Sequence, residues 1–193
     1  MAGGSTFYRG HGFTLIELMV TIAIGAILMV VAVPGFQSFQ RSSAVFSAAS
    51  SFASALNTAR AEAIKEGRPV IVRPATGTNW TTGWIAFVDV NGDGTYAASD
   101  GDILLLQQAS LPPGVTTPTT TALPGFVDTA GAVYVRYNQY GNPTVATMTM
   151  PRSIDFTASS GSNVTTRRVI LNAVGRARTC DPIPPQNQAT CVP

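Results

Sequence analysis

The chain has 193 residues, 45% hydrophobic and 11% charged, against about 25% charged in ordinary soluble domains; the length allows one domain plus an appendage. The net charge of +2 excludes a uniformly basic binder, but its placement is uneven. Residues 69–135 carry Arg73 against Asp89, Asp93, Asp100, Asp102 and Asp128, a net of −4, whereas residues 136–193 carry Arg136, Arg152, Arg167, Arg168, Arg176 and Arg178 against Asp155 and Asp181, a net of +4.

The N-terminal residues MAGGSTFYRGHG are polar and slightly basic. An apolar run, residues 13–33, follows; about 20 such residues span a bilayer as a helix. It lacks the small-residue stop of a secretory signal, and Arg9 favours a cytoplasmic N-terminus. Glu17 is the anomaly. A carboxylate at the centre of a spanning helix costs roughly 3 kcal/mol; near the end the cost is smaller, yet a cationic partner is still expected. A cut after Gly12 would give Phe13 a free amine one helical turn from Glu17. Pro34 ends the apolar run; an interior proline removes a hydrogen bond and clashes with the carbonyl four residues back.

Gly12-Phe13-Thr14-Leu15-Ile16-Glu17-Leu18 resembles the prepilin cleavage motif of type IV pilins and pseudopilins. The resemblance implies cleavage between Gly12 and Phe13 by prepilin peptidase and N-methylation of Phe13. It also implies that Glu17 pairs with a neighbouring subunit's amine during filament assembly. The expected division is a leader at 1–12, a transmembrane and assembly helix at 13–36, and a globular domain at 37–193. That domain would lie in the periplasm, anchored to the inner membrane by a single pass and then assembled into a filament with other pilins.

A second helical stretch is expected over 42–66. Val45, Ala49, Phe52, Leu56, Ala59 and Ala63 share one narrow, small-sided face, and Gly67 and Pro69 end it. Seven short β-branched or aromatic segments follow: 70–73, 84–88, 103–107, 132–137, 145–149, 154–157 and 168–173. Residues 109–131 read as an exposed Pro/Thr/Gly loop. No internal repeat is evident. The fold class is α+β, a long N-terminal helix packed on antiparallel sheets.

Ala59–Lys65 (ARAEAIK), Pro69-Val70, Gly83–Asp89 (GWIAFVD) and Asn91–Gly94 (NGDG) resemble the GspH/FimT family of minor pilins and pseudopilins. The resemblance implies a subunit present in few copies near the tip of a type IV pilus or a type II secretion pseudopilus.

Three stretches could carry chemistry. Asp89, Asn91, Asp93 and Asp100 imitate the oxygen spacing of a calcium loop, but they sit between strands, and Asn-Gly and Asp-Gly are common hairpin turn signals. The turn reading is preferred, with calcium as the alternative. Arg167, Arg168, Arg176 and Arg178 form a basic C-terminal set. In extended chain Arg176 and Arg178 share a face about 6.6 Å apart, close to the phosphate step of a strand, and the planar guanidinium grips two phosphate oxygens. Gly175 would let the backbone turn or approach. Gly175-Arg176-Ala177-Arg178 resembles the Gly-Arg-x-Arg motif of the FimT branch, which implies phosphate-directed DNA binding in natural transformation. Four contacts would give a log–log salt slope of about −3.6 on duplex. The bland alternative is a solvated basic tail, or arginines paired to acids. Cys180 and Cys191 read as one short disulfide loop. A zinc site lacks further ligands, His11 being the only histidine.

A catalytic constellation is not evident, so neither an enzyme nor a cofactor is expected. Two functions remain: a DNA-binding minor pilin, and a structural tip pseudopilin of type II secretion.

Overall fold

The computed structural model describes residues 13–117, 133–144, 152–160, 163–182 and 191. Arg9, His11, Gly12 and the rest of the expected leader, the expected strand at 145–149 and most of the 109–131 loop lie outside the described residues. Two compact units divide the chain, residues 1–39 and 40–193. One helix, α1 (Leu15–Glu66), begins in the first and ends in the second.

In the first unit α1 opens on Thr14, whose backbone carbonyl accepts from Leu18 N–H at 3.2 Å. The Thr14 hydroxyl accepts from Glu17 N–H at 3.3 Å. Thr14-x-x-Glu17 is therefore a helix-start signature, half of a capping box, and the sequence reading missed it. The apolar side chains of this part face outward, Phe13, Leu15, Ile16, Ile27, Met29 and Phe36 among them. Among the described residues no single helix is long and apolar enough to cross a membrane; Leu15–Val30 and Gly35–Glu66 meet that test jointly across a break. The break falls in the turn before Pro34, where the missing N–H leaves the carbonyl of residue 30 without its helical donor.

In the second unit the stripe Val45, Ala49, Phe52, Leu56, Ala59 and Ala63 is buried along its whole length. Gly67, at φ +64°, takes the left-handed conformation just past the helix end, where a side chain would be strained. Among the described residues nine strands follow. β1 (Val70–Pro74), β2 (Trp84–Val88), β3 (Ile103–Gln108), β5 (Val135–Tyr137) and β6 (Pro143–Thr144) form one sheet in the order β3-β2-β1-β5-β6. β4 (Val115–Thr116), β7 (Arg152–Ser160), β8 (Asn163–Leu171) and β9 (Ala177–Cys180) form the other, in the order β4-β7-β8-β9. Every pairing is antiparallel.

The core lies where the α1 stripe meets both sheets. Phe52 is its centre. Its ring stands 4.9 Å from that of Trp80 and 5.0 Å from that of Trp84, both edge-on, and 5.6 Å from that of Phe156 on β7. Such edge-on pairs add about 1 kcal/mol each beyond area burial. Trp84, Ala86 and Val88 turn inward on alternate positions of β2, as the two-residue period of a strand requires. The intervening Phe87 is buried against Tyr96, 5.4 Å between rings, so the segment between β2 and β3 covers the other face of that sheet.

Two expectations need correction. The stretch 109–131 is not loop throughout: Val115–Thr116 pairs with Thr157–Ala158 of β7, held by the buried Val115 side chain and by a 2.9 Å contact between the Thr116 and Thr157 hydroxyls. The strand expected at 168–173 runs instead from Asn163 to Leu171, then turns and returns as β9.

Candidate nucleic-acid interface

The sequence reading groups four arginines as one set; the fold separates them. Arg167 and Arg168 are neighbours on β8, so they point to opposite faces of the sheet. Arg168 stands opposite Asp155 in the β7–β8 ladder and grips it with two bonds, Nε to Oδ1 at 2.7 Å and Nη2 to Oδ2 at 2.8 Å. Hydrogen bonding to Asp155 pushes the Arg168 pKa further up. On the other face, the Arg167 guanidinium sits 5.7 Å from the centre of the Phe46 ring of α1 and 3.5 Å from Asp181. Both are engaged within the chain. A phosphate would have to displace a carboxylate to reach Arg168, and would compete with a long, partly exposed ion pair at Arg167.

Arg176 and Arg178 differ. Both are exposed and flank the buried Ala177, and among the described residues no acid pairs with either. Arg176 closes the turn between β8 and β9. Asn172 N–H donates to the Arg176 carbonyl at 3.1 Å, Gly175 N–H to the Asn172 carbonyl at 2.9 Å, and Arg176 N–H to Asn172 Oδ1 at 2.8 Å. Gly175 sits at φ +84°, and a Cβ there would collide with the Gly141 carbonyl and press on Arg60. Its own carbonyl accepts from the buried Tyr137 hydroxyl at 3.3 Å. Gly175 therefore shapes the turn and is itself covered.

β9 is the sheet's last strand, and its outer edge faces α1. The Asn57 side chain meets that edge: Nδ2 donates to the Ala177 carbonyl at 3.1 Å, and Ala177 N–H donates to Oδ1 at 3.0 Å. A shallow groove runs there between α1 and β9, lined by Ser50, Ser54, Asn57, Thr58 and Arg178 together with small alanines. Cys180, at the end of β9, is disulfide-bonded to the buried Cys191, 5.6 Å between Cα atoms. The cross-link fastens the chain just after the two free arginines.

The acidic loop has a different use. Asp89 is buried; Oδ1 accepts Gly92 N–H at 2.8 Å, and Oδ2 makes no well-aligned hydrogen bond but faces the Arg136 guanidinium at 3.1 Å. Asp102 accepts Val90 and Ala97 N–H at 2.9 and 3.0 Å. Asp93 accepts Thr95 N–H at 2.7 Å and the Asn91 amide at 3.0 Å, and the same amide reaches Asp100 at 3.1 Å. These bonds fold the segment back over Phe87. Among the described residues no three His, Cys, Asp or Glu side chains could hold one metal ion.

Phe13 and Glu17 are both exposed. Among the described residues no cation pairs with Glu17.

Comparison with known proteins completes the picture. The family described as Type II transport protein GspH matches residues 48–175, and the Prokaryotic N-terminal methylation motif matches residues 9–33. Two fimbrial proteins of Pseudomonas aeruginosa are each 45% identical over 60 residues, which cover 31% of this chain and 38% of the relative's length. The chain thus spans well under half the length of the curated relatives it matches. In fold it is similar to the type IV minor pilin FimU of P. aeruginosa, with a TM-score of 0.51 at 16% identity, over 69% of this chain and 86% of that one.

Proposed function

Starting from the chain's membership of the GspH family, a family of pilin-like subunits, we propose that it is a minor subunit of a type IV filament that binds DNA through Arg176 and Arg178 for uptake in natural transformation. One observation carries this reading: two exposed arginines, unpaired among the described residues, stand on a turn and edge strand whose backbones are fixed. Phosphate contacts of this kind carry no sequence information. With Arg167 and Arg168 engaged elsewhere, the footprint is two phosphates, and the expected salt slope on duplex is about −1.8.

The same reading covers assembly. Prepilin peptidase cuts between Gly12 and Phe13, and Phe13 is N-methylated. The exposed apolar face of α1 sits in the inner membrane, with the second unit in the periplasm. Glu17 then meets the amine of a neighbouring pilin, which draws the helix into the filament. The capping of α1 by Thr14 supports this, because it starts the helix right beside the new N-terminus and so leaves Glu17 about one turn from the amine.

The decisive experiment measures binding of a labelled random-sequence duplex to the full chain in detergent across a salt series. The Arg176→Ala/Arg178→Ala variant is run beside the wild type. We expect a slope near −1.8 for the wild type and loss of binding in the variant. A flat wild-type slope, or a variant that binds equally well, would falsify the DNA reading. A second reading, a structural tip pseudopilin of type II secretion, is favoured by the internal pairing of Arg167 and Arg168. It predicts no duplex binding by either protein.

A further inference from the structure

We propose that Arg60 is the positioning residue of the arginine tip: it clamps the Arg176 turn to a matching turn of the other sheet. The role in DNA capture rests on the reading above; the clamp itself does not. Arg60 lies on α1, and its Nε–H is shared between two carbonyls, Gly141 at 3.0 Å and Val174 at 3.0 Å. These belong to different sheets. Residues 138–142 join β5 to β6, and residues 172–176 join β8 to β9.

The two turns have one design, Asn-x-x-Gly-x: Asn138-Gln139-Tyr140-Gly141-Asn142 and Asn172-Ala173-Val174-Gly175-Arg176. In each, the first Asn N–H donates to the fifth carbonyl, at 3.0 and 3.1 Å, and the glycine N–H returns to the Asn carbonyl, at 2.8 and 2.9 Å. In each, the Asn Oδ1 accepts the fifth residue's N–H, at 3.0 and 2.8 Å. Each glycine has positive φ, +73° and +84°, the three-residue hairpin with a left-handed glycine. Neither glycine has room for a side chain: a Cβ on Gly141 would meet Ile64 Cδ1 at 2.7 Å and then Arg60 Cγ at 3.1 Å, and one on Gly175 would run into the Gly141 carbonyl and then meet Arg60 Cδ and Nε at 3.1 Å.

Arg60 therefore packs its stem between the turns and bonds both with its Nε–H. A hydrogen bond from a charged donor is stronger than a neutral one. Since the Arg176 N–H and C=O are both closed within its turn, locking the turn to α1 fixes where the Arg176 side chain leaves the surface. Arg178 is held separately, through Asn57 and the β9 ladder.

The test is Arg60→Met in the full chain in detergent. This variant keeps the stem and deletes the donor. Amide exchange should show Gly141 and Gly175 losing protection together, by about tenfold, while the β1–β2 ladder stays protected. Binding of the labelled duplex should weaken several-fold. The loss should vanish in the Arg176→Ala background and persist in full in the Arg178→Ala background. A merely structural role would weaken all three backgrounds alike, and that result overturns the proposal. So does loosening of one turn alone, or of neither. If the β1–β2 ladder opens too, Arg60→Lys takes its place, because it returns a donor to the stem. Joint recovery of both turns in that variant supports the clamp, and unlinked recovery overturns it. If the wild type binds no duplex, the DNA reading has failed, and the exchange result alone accepts or rejects the clamp.

Discussion

Two pairs of arginines lie on the same hairpin and have different fates. Arg167 and Arg168 occupy adjacent strand positions, so each faces a separate layer, and each finds an acid there. Arg176, in the turn, and Arg178, on β9, flank the buried Ala177, and both are exposed where the described residues offer no acid. The residue type is identical. Strand parity and the register of the neighbouring strand decide which guanidinium is structural and which is left for a partner.

Four experiments would break or sharpen that contrast. The largest effect is expected from Gly175→Ala, which strains a left-handed backbone and drives a methyl group into the Gly141 carbonyl. It should cost about 3 kcal/mol in urea unfolding, and an unchanged midpoint would show that the turn relaxes freely. Next is Asp155→Asn, which removes the charge partner of a partly buried guanidinium. We expect a loss of about 2 kcal/mol, below the value for a fully buried pair because both side chains retain some exposure. If the released Arg168 then reaches phosphate, the salt slope should steepen by about 0.9, converting a structural arginine into a binding one.

The third is a pH effect. Burial pushes the Tyr137 phenol up in pKa, so the unfolded chain loses this proton first. The stability supplied by the buried neutral phenol is whole below about pH 10, the ordinary tyrosine value, and is lost as pH climbs beyond it. Tyr137→Phe should flatten the fall in urea midpoint above about pH 10; equal falls in both proteins would mean that other groups govern it. The smallest is Arg167→Ala. A partly exposed ion pair and a ring contact together should be worth about 1 kcal/mol or less, and a larger loss would mark Arg167 as a core contact.

Much of the fold was legible in the sequence because its signals are local. The α1 stripe is periodic, and β2 alternates large inward residues, Trp84 and Val88 around Ala86. β9 was not legible. Of Ala177–Cys180 only Ala177 is buried, so the segment carries no apolar alternation and reads as a solvated tail. It is a strand because β8 and Asn57 supply its hydrogen bonds. The charge sign of the candidate site could be read directly, but its partners could not. Asp155 meets Arg168 only through the hairpin register, Asp181 reaches Arg167 only once β9 folds back along β8, and Phe46 comes from α1, far up the chain. Two signals were present and went unread: Thr14-x-x-Glu17 as a helix start, and the Asn-x-x-Gly pattern written twice, which marks the pair of turns that Arg60 joins.

The Asn57 amide has a consequence for life among crowded copies. With one donor and one acceptor aimed at Ala177, it imitates a rung of backbone ladder while belonging to no strand. A foreign chain sliding along that border meets a rung already taken. Open borders of this sort are where sheets zip together out of control; here a carboxamide blocks one rung of the border, yet leaves the guanidinium beside it in water.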